Sequence, residues 1–289
     1  MENKTLKWML LLVLAIVWGS SFILMKFGLS GLTHFQLGGV RIVFAALFLL
    51  LIGFRRLPEI PLYKWKYIII TACFGTFFPV FLFSLAISKM DTSVASILNS
   101  LTPLNTLVLG MFMFGLTAAR RQFIGVFVGF IGCVVLVYFG GTESGQGTNW
   151  YALLCLLASA CYGININLLK KYLSDVSPLA ITVGNFTVML IPAILVLFGS
   201  GFFDVVQEPK VIQAMFYVAV LGIVGTAFAN VLFFKLIQIS SPVFASSVTY
   251  LIPVVAFNLG IFFNAEKVSV VQIAGALIIL SGVYLSARK

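Results

Sequence analysis

Residues 95–110 read ASILNSLTPLNTLVLG, and residues 245–260 read ASSVTYLIPVVAFNLG. The two stretches match without a gap when Pro103 is set on Pro253, an offset of 150 residues. The same offset pairs positions outside the two stretches: Tyr67 with Tyr217, Gly75-Thr76 with Gly225-Thr226, Phe83 with Phe233, Gln122 with Gln272, Gly125 with Gly275 and Gly132 with Gly282. Nearer the start of each half an offset of 144 pairs Gly19 with Gly163 and Lys26 with Lys170. The chain is therefore an internal repeat with two halves, residues 1–140 and 141–289.

The composition places both halves in a membrane. Hydrophobic residues make up 61% of the chain and charged residues only 9%, whereas a soluble domain is typically about one-quarter charged. Apolar spans of about 18–25 residues predict transmembrane helices. We expect an all-α integral membrane protein with ten such helices, near residues 7–27, 33–53, 66–87, 92–113, 120–139, 149–171, 177–199, 211–236, 241–263 and 267–286.

Each half holds five predicted spans, an odd number, so the second half enters the membrane from the opposite side. If the N-terminus is cytoplasmic, 13 Lys and Arg residues fall at cytoplasmic ends and loops, and four fall outside, Lys26, Lys89, Lys210 and Lys267. The positive-inside rule then predicts that both termini lie in the cytoplasm. The net charge of +10 reflects this asymmetry and does not indicate nucleic-acid binding. Inverted repeats are typical of secondary transporters, which bind substrate where the repeats meet.

Polar side chains at membrane depth predict where that substrate site lies, because they are costly unless they face protein or a water-filled cavity. Trp18 and Ser21 lie three residues apart near the middle of the first span, so they share a helix face. The fourth and ninth spans carry polar faces of the same kind. With the repeat equivalents, the predicted substrate contacts are Trp18, Ser21, Asn99, Ser100, Tyr162, Asn165, Thr249 and Tyr250. Taken singly, each of these residues also suits packing between helices.

Two prolines and two cations complete the predicted site. Pro103 and Pro253 interrupt the hydrogen bonding of the fourth and ninth spans, which suits helix breaks or gating positions. Arg41 lies inside the second span and is a further predicted substrate contact, with Asp91 or backbone carbonyls as alternative partners. Lys235 lies near the end of the eighth span, where it can also extend to the lipid headgroups.

The acidic residues argue against proton-driven export of cations. All eight lie at helix ends, tails or loops, and such export generally needs a carboxylate at membrane depth. The four cysteines lie inside apolar spans without metal-ligand spacing, and His34 is the single histidine. We expect neither a metal nor a cofactor, and we do not expect an enzyme.

The fifth and tenth spans carry glycines in place of polar groups. Gly125 and Gly129 form a G-x-x-x-G pattern, and Gly132, Gly275 and Gly282 extend the row of small residues. Such a row serves as a packing or self-association surface between membrane helices. The predicted partners are thus a small-molecule substrate, the lipid bilayer and a homodimer through helices 5 and 10.

The repeat resembles the EamA family of the drug/metabolite transporter superfamily over residues 5–287. The resemblance rests on Trp18-Gly19-Ser20-Ser21-Phe22, Arg41, Leu98-Asn99-Ser100-Leu101-Thr102-Pro103-Leu104, Leu251-Ile252-Pro253-Val254, Glu266-Lys267-Val268-Ser269, Gln272, Gly275 and Ser281-Gly282-Val283. It implies ten helices in an inverted pair of five, alternating access, and a central cavity with the fifth and tenth helices at the periphery. The family's acidic residue before the last helix of each repeat is present as Glu266, but Leu116 stands at the matching position of the first half.

The resemblance implies export of amino acids, other small metabolites or drugs. Together with the observations above, it favours a bacterial inner-membrane exporter of a small amphipathic metabolite, with amino acids as the leading substrate class. One alternative is an organic-anion exchanger that uses Arg41 and Lys235 to hold its substrate. Another is a non-transporting membrane receptor or assembly factor, for which the short loops offer little surface.

Overall fold

The structure, a computed structural model, describes residues 2–89, 92–138, 149–255 and 270–286. These residues form helices joined by short connections, and no strand occurs among them. The main helices are α1 (Glu2–Gly28), α2 (His34–Gly53), α3 (Leu62–Ile87), α4 (Thr92–Asn99), α5 (Thr102–Phe114), α6 (Arg120–Tyr138), α7 (Asn149–Tyr172), α8 (Pro178–Gly199), α9 (Pro209–Ile239), α10 (Pro242–Val255) and α11 (Val270–Ser286). Short helical turns at Phe54–Glu59 and Phe202–Val205 follow α2 and α8.

Helix length and apolar surface identify a membrane protein. In the described part of the chain, six helices are long and apolar enough to cross a membrane: α1, α2, α3, α7, α8 and α9. Shorter apolar helices are α5, α10 and most of α11. Large apolar side chains point outward, and Leu51 and Phe112 are more than 80% exposed, which suits contact with lipid. The chain is an all-helical, multi-pass membrane protein.

The fourth predicted span is two helices rather than one. The helix ends at Asn99 and resumes at Thr102, with Ser100 and Leu101 in a turn between them. Pro103 lacks an N–H and cannot donate to the Asn99 carbonyl, so the Thr102 hydroxyl donates to that oxygen at 2.7 Å. This break brings polar backbone and side-chain groups to the middle of the bundle.

The ninth predicted span, 241–263, is described as far as Val255, and the rest of it lies outside the described residues. A turn at Ser247 divides α10, and Pro253 lies six residues further on. Pro253 leaves the Thr249 carbonyl without its usual helical donor, and the Ser100 hydroxyl donates to it at 3.2 Å. The two proline-containing segments are therefore joined where their backbones are interrupted.

Two π-helical segments occur at positions that the sequence repeat matches. They are Cys73–Phe77 in α3 and Ile223–Phe228 in α9, and each contains one of the two Gly-Thr pairs. A π turn shifts the side chains that follow it and is frequent at functional sites.

The glycine row of α6 packs against α11 of the same chain. A Cβ atom on Gly125 would lie 2.5 Å from the backbone nitrogen of Ser286, and one on Gly132 would lie 2.7 Å from that of Ile279. Gly282 of α11 in turn faces the backbone of Gly129. The row serves packing within the chain, so a homodimer through these two helices would have to use their other faces.

One end of the bundle is held together by lysine side chains, and we call it the lysine end. Lys64 at the start of α3 forms an ion pair with Asp175, between α7 and α8. Lys170 caps the C-terminal end of α9, where its ammonium group donates to the carbonyls of Ile237, Gln238 and Ser240 at 3.0, 2.9 and 2.7 Å. The opposite end, where α2 begins, is the His34 end.

Candidate functional site

A cavity lies between the helices of the two halves, with an empty volume of about 880 Å³ that is partly open to solvent. Its walls come from α1, α2, α3, α4 and α5 in the first half and from α7, α9 and α10 in the second. Of the described residues, none from α6, α8 or α11 lines it. The peripheral position of the fifth and tenth predicted helices agrees with what the family resemblance implies.

Seven of the nine predicted substrate contacts line this cavity: Trp18, Ser21, Arg41, Asn99, Tyr162, Asn165 and Thr249. They include both members of three repeat-matched pairs. The fourth pair, Ser100 and Tyr250, is absent from the lining.

Tyr250 lies behind the cavity wall, and its side chain is fully buried. Its hydroxyl donates to the Val126 carbonyl of α6 at 2.7 Å, and its ring lies against Gly129. Ser100 is also fully buried and bonds the backbone of α10. Both residues share the polar face seen in the sequence, but the turns beside them direct their side chains into helix packing.

Trp18 lines the cavity from α1 and packs against α9. Its indole N–H donates to the Gly225 carbonyl of the α9 π segment at 3.1 Å. Its ring meets the edge of Phe233, with centroids 4.9 Å apart and an angle of 65° between the rings. Phe233 lies six residues before the end of α9, near the carbonyls that Lys170 caps.

Tyr162 and Phe83 form the repeat-matched counterpart of that pair. Their rings are nearly parallel, with an angle of 20° and centroids 6.0 Å apart. Phe83 lies four residues before the end of α3, on the side of the His34 end.

The two π segments hold polar side chains through close glycine contacts. Gly225 lies against Ser21, so that a Cβ atom there would be 2.7 Å from the Ser21 hydroxyl oxygen. Gly75, its match in α3, lies against the Asn165 amide in the same way, with no room for a Cβ atom. Asn165 is 3% exposed, and its Oδ1 atom accepts no hydrogen bond from the protein.

Arg41 extends from α2 into the cavity wall. Its Nε–H donates to the Thr226 hydroxyl at 2.7 Å, and that hydroxyl donates to the Leu221 carbonyl at 3.0 Å. No described carboxylate forms an ion pair with Arg41, and Asp91 lies outside the described residues. Lys235 is exposed and absent from the lining, so the two cations do not form one clamp in this cavity.

The sequence analysis missed several lining residues. Thr76, Thr226 and Phe233 were visible as matched positions of the repeat, but nothing in the apolar sequence around them indicated which side they face. Asn230 was a polar residue at membrane depth and carried the same signal as Asn165. Asn167, two residues after Asn165, donates to the Thr106 carbonyl of α5 at 2.8 Å and does not line the cavity.

The lining can hold a small molecule through apolar surface, hydrogen bonds and one positive charge. Aromatic rings supply most of the apolar surface, and Ser, Thr and Asn side chains supply donors and acceptors. In the described segments, no group of three His, Cys, Asp or Glu residues is placed to bind a metal. These are the properties of a binding cavity.

Comparison with known proteins agrees with this interpretation. The sequence model of the EamA-like transporter family matches the chain twice, over residues 6–138 and 149–288. A Salmonella typhimurium protein named "Probable amino-acid metabolite efflux pump" is 25% identical, over 96% of this chain and 93% of its own length. The Escherichia coli protein named "Uncharacterized inner membrane transporter YedA" is 24% identical, over 96% of this chain and 90% of its own.

A crystal structure of a protein with 16% sequence identity has the same fold, with a TM-score of 0.73 over 96% of this chain and 95% of the other. The family match spans nearly the whole sequence, and the names of the relatives indicate a transporter rather than an enzyme. The resemblance inferred from the sequence motifs is confirmed. This chain belongs to the EamA-like transporter family of membrane proteins.

Proposed function

We propose that this transporter exports a small amphipathic metabolite across the inner membrane by alternating access, with amino acids as the leading substrate class. The observation that carries the proposal is the cavity, whose walls come from both family matches and combine aromatic rings with polar groups. The name of the Salmonella typhimurium relative supports the substrate class. Export of metabolites also fits a cavity with one positive charge and many hydrogen-bonding side chains.

The same proposal includes ten transmembrane helices in two inverted repeats, residues 1–140 and 141–289, with both termini in the cytoplasm. The two family matches and the two matched π segments support this division. Cysteine labelling tests the orientation, in a variant that lacks the four native cysteines. An impermeant reagent added outside should modify Gln207→Cys, between α8 and α9, and should spare Arg56→Cys until the membrane is permeabilised. Both positions are exposed, so the reverse pattern would show that the orientation is wrong.

The absence of Asp and Glu from the described lining bears on the driving force. A carrier without a carboxylate at membrane depth lacks the usual group for proton exchange. We expect transport to continue, reduced severalfold at most, when a protonophore collapses the proton gradient and the substrate gradient is kept. Complete loss of transport under these conditions would reveal a coupling group elsewhere in the chain.

Uptake by proteoliposomes or everted vesicles tests the function directly. The purified protein is reconstituted and offered a panel of amino acids, organic acids and amines at equal concentration. Transport of at least one member above that of protein-free liposomes is expected, with amino acids foremost. A fully folded protein that transports no member of the panel would contradict the proposal.

A further inference from the structure

The charge of the cavity wall is unbalanced. Arg41 is the single ionised side chain among the described lining residues, and no carboxylate accompanies it there. A cation at membrane depth is costly unless an anion or several acceptors surround it. Thr226 accepts from the Nε–H group of Arg41, and no acceptor for the terminal guanidinium nitrogens occurs among the described residues. These nitrogens are suited to bind a carboxylate in the cavity.

A second group in the wall also lacks a partner. Asn165 Oδ1 is buried and accepts no hydrogen bond, although it belongs to a residue of the cavity lining. A buried acceptor without a donor costs free energy comparable to a lost hydrogen bond. The amide lies against Gly75, where a Cβ atom would have no room. A ligand that brings an N–H or O–H group to this oxygen removes the cost.

We infer that the cavity selects its substrate by charge: it takes a small carboxylate that also carries an N–H or O–H donor, and it rejects monocations. Arg41, oriented by Thr226, supplies the positive charge, and Asn165 supplies the acceptor. The inference rests on the proposed function, because it takes this cavity as the substrate site. It adds the charge and the second polar group that a substrate must have, whatever its apolar part.

Trp18 is a reporter for this selectivity, because its half-buried ring lines the same cavity. The chain has four tryptophans, and a variant with Trp8, Trp65 and Trp150 changed to Phe leaves Trp18 as the single one. Its fluorescence is quenched with iodide and with caesium in neutral detergent, each relative to uncharged acrylamide. We expect the ratio of iodide to caesium quenching to exceed that of free tryptophan in the same detergent by about threefold or more, since a nearby cation attracts one ion and repels the other.

Three further variants separate the charge of Arg41 from the net charge of the protein. Arg41→Gln should bring the ratio of iodide to caesium quenching close to that of free tryptophan in the same detergent, and Arg41→Lys should keep most of the wild-type preference. Lys235→Gln removes one positive charge outside the lining and should leave the ratio unchanged. An equal loss in Arg41→Gln and Lys235→Gln would overturn the inference, as would a wild-type preference for caesium.

The donor requirement is tested with three ligands that differ by one group. Alanine, propionate and alaninamide are added in turn, and their protection of Trp18 from iodide is measured. Alanine should protect best, propionate less and alaninamide least. Asn165→Leu should remove the difference between alanine and propionate, and its melting temperature checks that it folds. Equal protection by alanine and propionate in the wild type would overturn the role of Asn165.

These measurements need no transport, so they distinguish the two proposals. Iodide selectivity without any transport would support the selection of substrates by charge and contradict the export function. Transport of a monocation by a cavity that prefers caesium would retain a transport function and contradict the selectivity.

Discussion

The aromatic pairs at the two ends of the cavity occupy matched positions of the sequence repeat, yet they pack differently. Trp18 and Phe233 meet edge to face at 4.9 Å, and the indole is tied to the α9 backbone. Tyr162 and Phe83 lie nearly parallel at 6.0 Å, so their rings are further apart than those of the first pair. The sequence halves are similar, but the two aromatic pairs differ in packing geometry in this conformation.

The difference bears on the alternating access that we propose. The closer pair lies towards the lysine end, where Lys170 and the Lys64–Asp175 ion pair also hold helices together. We expect this end to be closed in the present conformation and to open when the contacts of Trp18 are lost and the counterpart pair tightens. A substitution that removes a contact of one pair only should then shift the equilibrium between the states open at the lysine end and open at the His34 end.

The largest effect is expected from Trp18→Ala. Removal of this ring takes away apolar contact and aromatic stacking with the substrate, worth on the order of 1–3 kcal/mol. This corresponds to a roughly 5- to 150-fold loss of substrate affinity. Tyr250→Phe is the matched control, because it removes a buried hydroxyl outside the cavity and should lower the melting temperature without changing affinity. Binding to detergent-solubilised protein measures both variants. An unchanged affinity in folded Trp18→Ala would place the substrate elsewhere.

A smaller effect than that of Trp18→Ala is expected when one ring of each aromatic pair is removed. Of the two variants, Phe233→Ala should favour opening of the lysine end more than Phe83→Ala does. The aromatic pair at the lysine end contributes about 0.5–1.5 kcal/mol beyond its buried area, so its loss should favour opening of that end by roughly 2- to 12-fold. Labelling of Asn230→Cys by a reagent from the cytoplasmic side, in the cysteine-free variant, reports the opening. Phe83→Ala should change this rate less or lower it. Equal acceleration by both variants would show that the two pairs are equivalent.

The smallest effect is expected from the ion pair at the lysine end. The Lys64 ammonium group holds the pKa of Asp175 below its ordinary value. A carboxylate with a lowered pKa stabilises the fold above the pKa of the unfolded chain, about 3.9, and loses this contribution as the pH falls through its folded value. The Asp175 side chain is 67% exposed, so solvent screens the pair and Asp175→Asn should cost less than about 1 kcal/mol at pH 7.

The melting temperature of Asp175→Asn should therefore approach that of the wild type as the pH is lowered below about 4. Asp204→Asn, which changes an exposed carboxylate with no ion pair among the described residues, is the control and should show no such convergence. A difference between Asp175→Asn and the wild type that grows at low pH would contradict the ion-pair account.

Apolar periodicity and the internal repeat were enough to predict the helical membrane fold. The positions of Trp18, Tyr162 and Asn165 in the cavity followed from one further argument, that polar groups at depth face protein or water. That argument failed to separate Tyr250 from Thr249, because a turn at Ser247 and the glycines of α6 give a buried tyrosine another place to pack. Such a turn has no sequence signal as clear as a proline.

The hydrogen-bond partner of Arg41 also could not be predicted from the sequence. Thr226 is 185 residues away along the chain and meets Arg41 through the π segment of α9. A π turn depends on local packing more than on composition. The repeated Gly-Thr pair therefore indicated that the two positions are equivalent, but it predicted neither the π turns nor the contact with Arg41. Lys235, which the sequence offered only as a second cation for an anion exchanger, is exposed and does not line the cavity.

Substrate protection of cysteines in the cavity is the most direct test that the substrate lies between the two halves. Ser21→Cys lines the cavity from the first family match and Asn230→Cys from the second, and Lys235→Cys lies outside it. Each is placed in the cysteine-free variant and treated with a thiol reagent, with and without a metabolite that proteoliposomes take up. The account predicts that the metabolite slows modification at Ser21→Cys and Asn230→Cys and leaves Lys235→Cys unaffected. A transported metabolite that slows modification at neither cavity position would contradict it.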